Sequence, residues 1–421
     1  MSALARPQSA VASAGATVEI VSVTPFPGAP SGAGLGTPND INDAGTIVGS
    51  TFNSVARTPN ALRWTVGGGA PVILGHWEFG AGANAISQDG NTIVGFWGLV
   101  DLTRLADPAI VRETGGHIRL GPCCIQPGQA LGVNDVGQIV GYHLVLPTGP
   151  GVAERDLPAL WSGGTTVDLL NGQSSGRAYD INNAGVAIGQ RTEGPFRWQS
   201  GTVTPLPTLG GAATTPLSIN ESNVIAGVSG TTAVRWVNGA ISALAGVPGT
   251  NSRANDINDF GEIAGTYVDP ISNTSHAFFW SEASGFLDLG TGSARALNNR
   301  GAIAGNATTG AAVVWILNFG PVASLSGPDE AKKNESLTFS ATASTDRNLD
   351  ALTYAWDFGD GSTGTGATVT HAYKKQDTYT VTVTVSDPRG LTSTASLEVS
   401  VENGKKPKKE HDNNGNGPKK P

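Results

Sequence analysis

The chain has 421 residues, room for two or three domains at the usual ~150 residues each. Gly and Pro supply 58 and 25 of them, only 14% are charged and Met occurs once, which leaves little material for long helices, while 39% apolar residues still suffice for a sizeable core. The net charge of −8 is uneven: 14 Arg, no Lys and 21 acids precede residue 319, 6 basic and 11 acidic residues fill 319–402, and 6 Lys face Glu410 and Asp412 after that, so neither folded region has the basic face that nucleic-acid binding needs.

Residues 1–16 (MSALARPQSAVASAGA) read as a disordered start. They lack the apolar core of a signal peptide, although the small residues Ala10 to Ala16 are of the kind found beside a cleavage site. No run of eighteen apolar residues follows, so membrane insertion is not expected. The first predicted strand is Val18 to Val23.

From there one string repeats. Ile41-Asn42-Asp43-Ala44-Gly45-Thr46-Ile47-Val48-Gly49 returns at Ile86-Ser87, Val133-Asn134, Ile181-Asn182, Ile219-Asn220, Ile257-Asn258 and Leu297-Asn298. The turn residues Asn42, Ser87, Asn134, Asn182, Asn220, Asn258 and Asn298 are spaced 45, 47, 48, 38, 38 and 40 residues apart, which makes seven units. The chemistry is that of a turn: Asn or Ser hydrogen-bonds backbone two residues on, and Gly at the fourth position tolerates φ > 0. The second copy keeps Ser87 and Gly90 and takes its extra residue after the turn. The fifth has Asn223 in place of Gly, the next-best residue in a left-handed conformation.

Each unit continues with a short strand ending in Gly, as in Ile139-Val140-Gly141. A strand closing on Trp comes next (Trp64, Trp161, Trp198, Trp236, Trp280, Trp315; the second unit has none), and most units finish on a strand such as Ile118-Arg119-Leu120-Gly121. Four strands per unit and seven units predict an all-β, seven-bladed β-propeller over residues 17–318. The seventh unit lacks a fourth strand before residue 319, and the strand at Val18 to Val23 is the expected replacement, closing the ring. Six Trp at one place in the repeat predict packing between blades.

The units resemble the HAF repeats of bacterial extracellular proteins in their Ile-Asn-Asp-x-Gly-x-Ile-Val-Gly core and the Trp and Leu-Gly elements downstream, over roughly residues 17–316. That resemblance implies secretion or surface display and neither a catalytic residue nor an agreed ligand.

Residues 319–402 change style. Alternating runs such as Tyr379-Thr380-Val381-Thr382-Val383-Thr384-Val385 predict strands with one buried face, in a segment the size of an immunoglobulin-like β-sandwich. Tyr354-Ala355-Trp356-Asp357-Phe358-Gly359-Asp360-Gly361, with His371-Ala372-Tyr373 and Val385-Ser386-Asp387, is similar to a PKD domain, departing at Asp377, where Gly commonly precedes the tyrosine strand. The resemblance implies a non-catalytic spacer, or a binder of proteins or polysaccharides. Residues 403–421 are Lys, Pro, Asn and Gly with no apolar side chain and are expected to be a disordered basic tail.

Candidate chemistry is sparse. Asp40, Asp180 and Asp256 precede the Ile-Asn of their turns and converge on the predicted axis, where carboxylates bind cations, act as acid and base, or hold turn amides; the last is the main expectation. His76, His117, His143 and His276 have no zinc-like spacing. His76, Trp77 and Trp97 fall outside the repeat phase and are the candidate aromatic ligand contacts, with rim packing as the alternative. Cys123 and Cys124 are adjacent, either a vicinal disulfide or two reduced thiols. Asp346, Asp350, Asp357 and Asp360 offer calcium ligands or, the stronger expectation, turn caps. No phosphate loop or EF-hand string is present in the sequence.

These observations lead to a monomeric, extracellular or cell-surface protein that binds polysaccharide or protein without catalysis and without a cofactor beyond that calcium option. The alternatives are a secreted polysaccharide-active enzyme with its site on the central propeller face, and a purely structural surface protein.

Overall fold

The computed structural model of the chain describes residues 9–11, 17–25, 36–53, 58–68, 71–74, 80–98, 107–111, 117–120, 127–145, 154–248 and 251–403. Among these there is no helix, and the chain divides into two compact units, 1–318 and 319–421.

In the first unit the described residues form seven antiparallel sheets, the blades of a β-propeller. Their first strands are Thr37–Ile41, Ala81–Ile86, Gly128–Val133, Gly176–Ile181, Thr214–Ile219, Arg253–Ile257 and Ser293–Leu297, and each touches the next around the ring, the seventh returning to the first. Blades one to six follow chain order across four strands. The seventh takes its fourth strand from the other end of the unit: Thr17–Pro25 pairs antiparallel with Ala312–Asn318, and Ser9–Val11 lies along its outer edge. That strand pair falls partly in the segment expected from sequence to precede the fold.

Hydrophobic clusters fill the gaps between blades. Ile41, Ile47, Leu62 and Trp64 of the first blade pack with Ala296, Ala302, Ala304 and Val314 of the seventh, so ring closure is a core contact as well as a strand pairing. All six repeat Trp are buried, and three donate their indole N–H to a carbonyl of the preceding unit: Trp236 to Pro207, Trp280 to Ala245 and Trp315 to Leu289.

One feature of every blade is invisible in the repeat string. The first strand bulges by one residue at the same place each time, at Asn39, Asn84, Leu131, Tyr179, Leu217, Asn255 and Arg295. Beside the bulge a backbone carbonyl of the first strand comes close to the repeated glycine of the second strand. A Cβ on Gly49 would lie 2.1 Å from the Thr37 oxygen, and one on Gly141 would lie 2.0 Å from that of Gln129. The repeated Gly is therefore a requirement of close backbone approach.

The second unit is the immunoglobulin-like sandwich. One sheet runs Glu330–Lys332, Thr392–Glu402, Asp377–Ser386, Thr353–Asp357, Thr363–Thr365, and Leu337–Ser340 pairs with Thr368–His371 in the other. The alternating strands bury Val381, Val383, Val385, Val399 and Val401 against Phe339, Trp356, Phe358 and Tyr373. Both polar aromatic tips are satisfied, Trp356 by the Gly366 carbonyl at 2.8 Å and Tyr373 by that of Phe358 at 2.9 Å.

Candidate functional site

The first strands run from one end of the propeller axis to the other, and the two ends differ chemically. At the far end, where each first strand turns into the second, the turns are locked. Residues at the fourth turn position are left-handed in all seven: Gly45, Gly90, Gly137, Gly185, Gly261 and Gly301 have φ between 71° and 82°, and Asn223 has φ 62°. The turn Asn side chains join neighbouring blades. Each side-chain oxygen accepts an amide of its own turn (Thr46 N–H on Asn42, Ala302 N–H on Asn298, both 2.9 Å). The side-chain nitrogens of Asn134, Asn182, Asn220, Asn258 and Asn298 donate to the backbone carbonyls of Asn182, Asn220, Asn258, Asn298 and Asn42 at 2.9–3.3 Å. Ser87 has no such nitrogen, and at its neighbour Asn42 the amide nitrogen is buried with no hydrogen-bond partner.

A second ring lies outside the first. The backbone N–H of Asp43, Asp89, Asp135, Asn183, Glu221, Asp259 and Asn299 each donates to a side chain of the next turn, at 2.8–3.1 Å, and the last link returns from Asn299 to Asp43. Gln88, Asp135, Asn183, Glu221, Asp259 and Asn299 of this ring, with Asp40, Asp180 and Asp256, surround a cavity of about 100 Å³. Asp40, Asp180 and Asp256 are brought together there, half-buried, and each spans two blades. One oxygen accepts the following N–H (Ile41, Ile181, Ile257) and the other accepts an N–H of a neighbouring blade (Ile86, Ile219, Leu297), all at 2.6–2.9 Å. Ser218 adds a hydroxyl to Asp256 at 2.6 Å. Burial raises all three carboxyl pKa values: Asp180 is pushed up to about 7, and the Asp256 charge lifts Asp40 further.

At the near end, where the chain enters each first strand, a larger cavity of about 450 Å³ is lined by Arg253, Arg295, Asn39, Asn255, Thr266 and Ser293, with Leu217 on its wall. Arg295 gives its Nε–H to the Asn306 side-chain oxygen at 3.2 Å; Arg253 makes no hydrogen bond or ion pair among the described residues. The surrounding protein depresses both guanidinium pKa values, and Arg253 depresses that of Arg295 further. Arg177 occupies the Arg253 position two blades earlier, but it is neutralised by Asp156 at 2.6 Å and lies on the Tyr142 ring at 4.2 Å.

Trp97 stands half-buried at the end of its strand, with the Arg119 guanidinium 4.9 Å from its ring centre. His76, Trp77, Cys123 and Cys124 lie outside the described residues. His143 and His276 are in different blades, and His276 faces Asp288 at 3.1 Å. In the sandwich Asp346 and Asp350 meet, joined by Asp387 and not by Asp357 or Asp360. Their three carboxylate oxygens lie within 4.8 Å of one another. Asp346 also caps its turn through Asn348 N–H at 2.8 Å, and its other oxygen is buried without a partner. This donor set suits calcium in type, although Arg389 already holds Asp350 at 2.7 Å. Asp357 and Asp360 cap Gly359 and Ser362.

The arginines and the bulge asparagines were not singled out by sequence reasoning. The one signal for the asparagines is that Asn39, Asn84 and Asn255 each stand three places before the turn residue.

Residues 318–401 match the PKD domain family. Among curated proteins, a microbial collagenase of Vibrio alginolyticus is 41% identical over 86 residues, 20% of this chain and 11% of the collagenase. Collagenase ColQ1 of Bacillus cereus is 31% identical over 87 residues, 21% of this chain and 9% of that protein. The chain thus spans about a tenth of the length of these relatives. Solved structures similar to parts of it include the PKD1 domain of Vibrio anguillarum Epp, at 31% identity over 21% of this chain and 99% of that one, TM-score 0.19. The β-propeller domain of the Trilobed protease of Pyrococcus furiosus is 8% identical over 68% of this chain and 94% of that one, TM-score 0.42. The seven sheets of the first unit and the family match together make the chain a seven-bladed β-propeller followed in sequence by a PKD domain at residues 318–401.

Proposed function

We propose that the protein is an extracellular or cell-surface binding protein without catalytic activity, which takes polysaccharide or protein ligands at the near mouth of the propeller, with the PKD domain as spacer or accessory binder. The observation that carries this reading is the division of labour along the axis. The converging carboxylates that an acid–base mechanism would use have both oxygens committed to backbone amides of two blades, whereas the near cavity keeps uncommitted polar groups. The resemblance of the repeats to HAF repeats supports export, and so does the occurrence of the PKD domain in collagenases. The match to those collagenases covers one accessory domain, so the activity named for them is not carried over. The carboxylate cluster Asp346, Asp350 and Asp387 would hold calcium, in keeping with a role outside the cell.

Binding of the full-length protein to immobilised neutral and acidic glycans and to surface-protein extracts tests the reading, with release of reducing ends followed in parallel. Saturable binding without product supports it. Turnover that persists when Asp40, Asp180 and Asp256 are intact and disappears on their substitution would replace it with the enzyme reading, and absence of any binding would leave a structural role.

A further inference from the structure

We propose that the near mouth of the propeller is an acidic-saccharide site, in which Arg253 and Arg295 hold the carboxylate of a uronic acid unit. This rests on the reading of that mouth as the binding end and names the ligand class for it. Two guanidinium groups side by side repel each other, and nothing in the wall of the cavity relieves them: none of its lining residues is an acid. The repeat itself shows the alternative, because Arg177 at the equivalent position is matched by Asp156. Arg253 has no such counter-charge, and both Nη groups of Arg295 are left over after its one bond to Asn306. An oxyanion from outside supplies what the fold omits, and a planar fork against a planar carboxylate is the geometry that arginine serves best.

The remaining lining selects a sugar over a bare anion. Asn39 and Asn255 are fixed by their amide nitrogens to the carbonyls of Ala83 and Ala294, at 2.8 and 2.6 Å. Their side-chain oxygens stay available as acceptors for hydroxyl groups, and the Ser293 hydroxyl lies in the same wall. The cavity's ~450 Å³ falls within the usual range for ligand sites, enough for a short stretch of polymer.

The test is calorimetric titration of the full-length protein with hexagalacturonate, its methyl-esterified form and dextran sulfate, with the variants Arg253→Gln, Arg295→Gln and, as a control on another blade, Arg155→Gln. All three arginines are exposed, and unchanged melting temperatures verify folding. The expected result is binding of hexagalacturonate, loss on methyl esterification, and a drop of about 10- to 100-fold for each mouth variant with none for the control. Hexagalacturonate binding that the mouth variants leave intact would overturn the site. Equal binding of dextran sulfate would overturn the uronic acid assignment in favour of general polyanion capture. Binding of a neutral glycan or a protein, undiminished in Arg253→Gln, would overturn the inference and leave the binding function standing. Silence toward every probe would remove both.

Discussion

The two ends of the propeller axis are built from the same seven strands, yet they treat polar side chains in opposite ways. At the turn end every backbone N–H of the outer ring finds a side chain on the next blade, and the axial carboxylates each stitch two blades together. At the near end, among the described residues, Arg253 makes no hydrogen bond or ion pair and Arg295 uses only one donor. A cluster of acids on an axis invites a catalytic reading, but saturation by amides marks it as structure. A pair of cations with no acid in the described lining around them is the feature on which the proposed binding site rests. What separates the two is the partner list of each atom, not the residue type.

The comparison presupposes the bulged strand that aims both ends, so its removal has the largest effect. Gly141→Ala would set a methyl 2.0 Å from the Gln129 oxygen, where only backbone movement makes room. We expect a loss of at least about 3 kcal/mol in urea unfolding, with both ends of the axis disturbed together. A variant within 1 kcal/mol of the wild type, by the same rough scale, would show that the bulge is plastic.

Next comes the closure itself. Asn298→Ala removes the donor to Asn42 across the ring seam and the acceptor of the Ala302 and Arg300 amides, all in a buried site. A cost of about 2–3 kcal/mol is expected. Arg253→Gln, at the other end, is expected to stay within about 0.5 kcal/mol of the wild type, since it breaks no hydrogen bond or ion pair among the described residues. Equal costs for the two would erase the distinction between the ends.

Much of this was legible in the sequence. The period, the turn chemistry, the Asn223 exception and the strand that completes the last blade all follow from local patterns that repeat seven times. Alternation and the Tyr354 to Gly361 string did the same for the sandwich. The bulge left no mark of its own, because its residue varies from Asn39 to Leu131 to Tyr179 to Arg295 and only the Gly opposite it recurs. Arg253 and Arg295 were hidden for a related reason: neither belongs to the repeated string, and adjacency across two blades is a property of the closed ring. Asp387 joined Asp346 and Asp350 from a different strand connection, beyond the reach of spacing.

Protonation sharpens the turn end. Asp180 holds its proton up to about pH 7 in the fold, while the same group in an unfolded chain releases it near 3.8, and Asp40 and Asp256 shift in the same direction. Between these values the folded state binds more protons than the unfolded one, so this contribution weakens as pH rises from about 4 through 7, by at most about 1.4 kcal/mol per pH unit for one carboxyl. Asp180→Asn, which cannot titrate, should flatten that slope in melting curves, so that the variant gains on the wild type as pH rises through about 7. Parallel melting curves for the variant and wild type across that range would refute the account.

The finest test lies within the Asn ring. Asn42 and Asn298 occupy equivalent turns and are equally buried, at 0% and 2% exposure, and each accepts its own turn amide at 2.9 Å. They differ in two contacts: the Asn298 oxygen also accepts the Arg300 N–H at 3.1 Å, and its nitrogen reaches the Asn42 carbonyl at 3.0 Å, whereas the Asn42 nitrogen is buried with no hydrogen-bond partner. Truncating Asn298 therefore removes a made bond, while truncating Asn42 also removes a buried donor that was never satisfied. Asn42→Ala should cost less than Asn298→Ala by about 1 kcal/mol, measured as paired unfolding curves. The reverse order would mean that the Ser87 turn accepts that donor in solution, so that the ring at this end is complete after all.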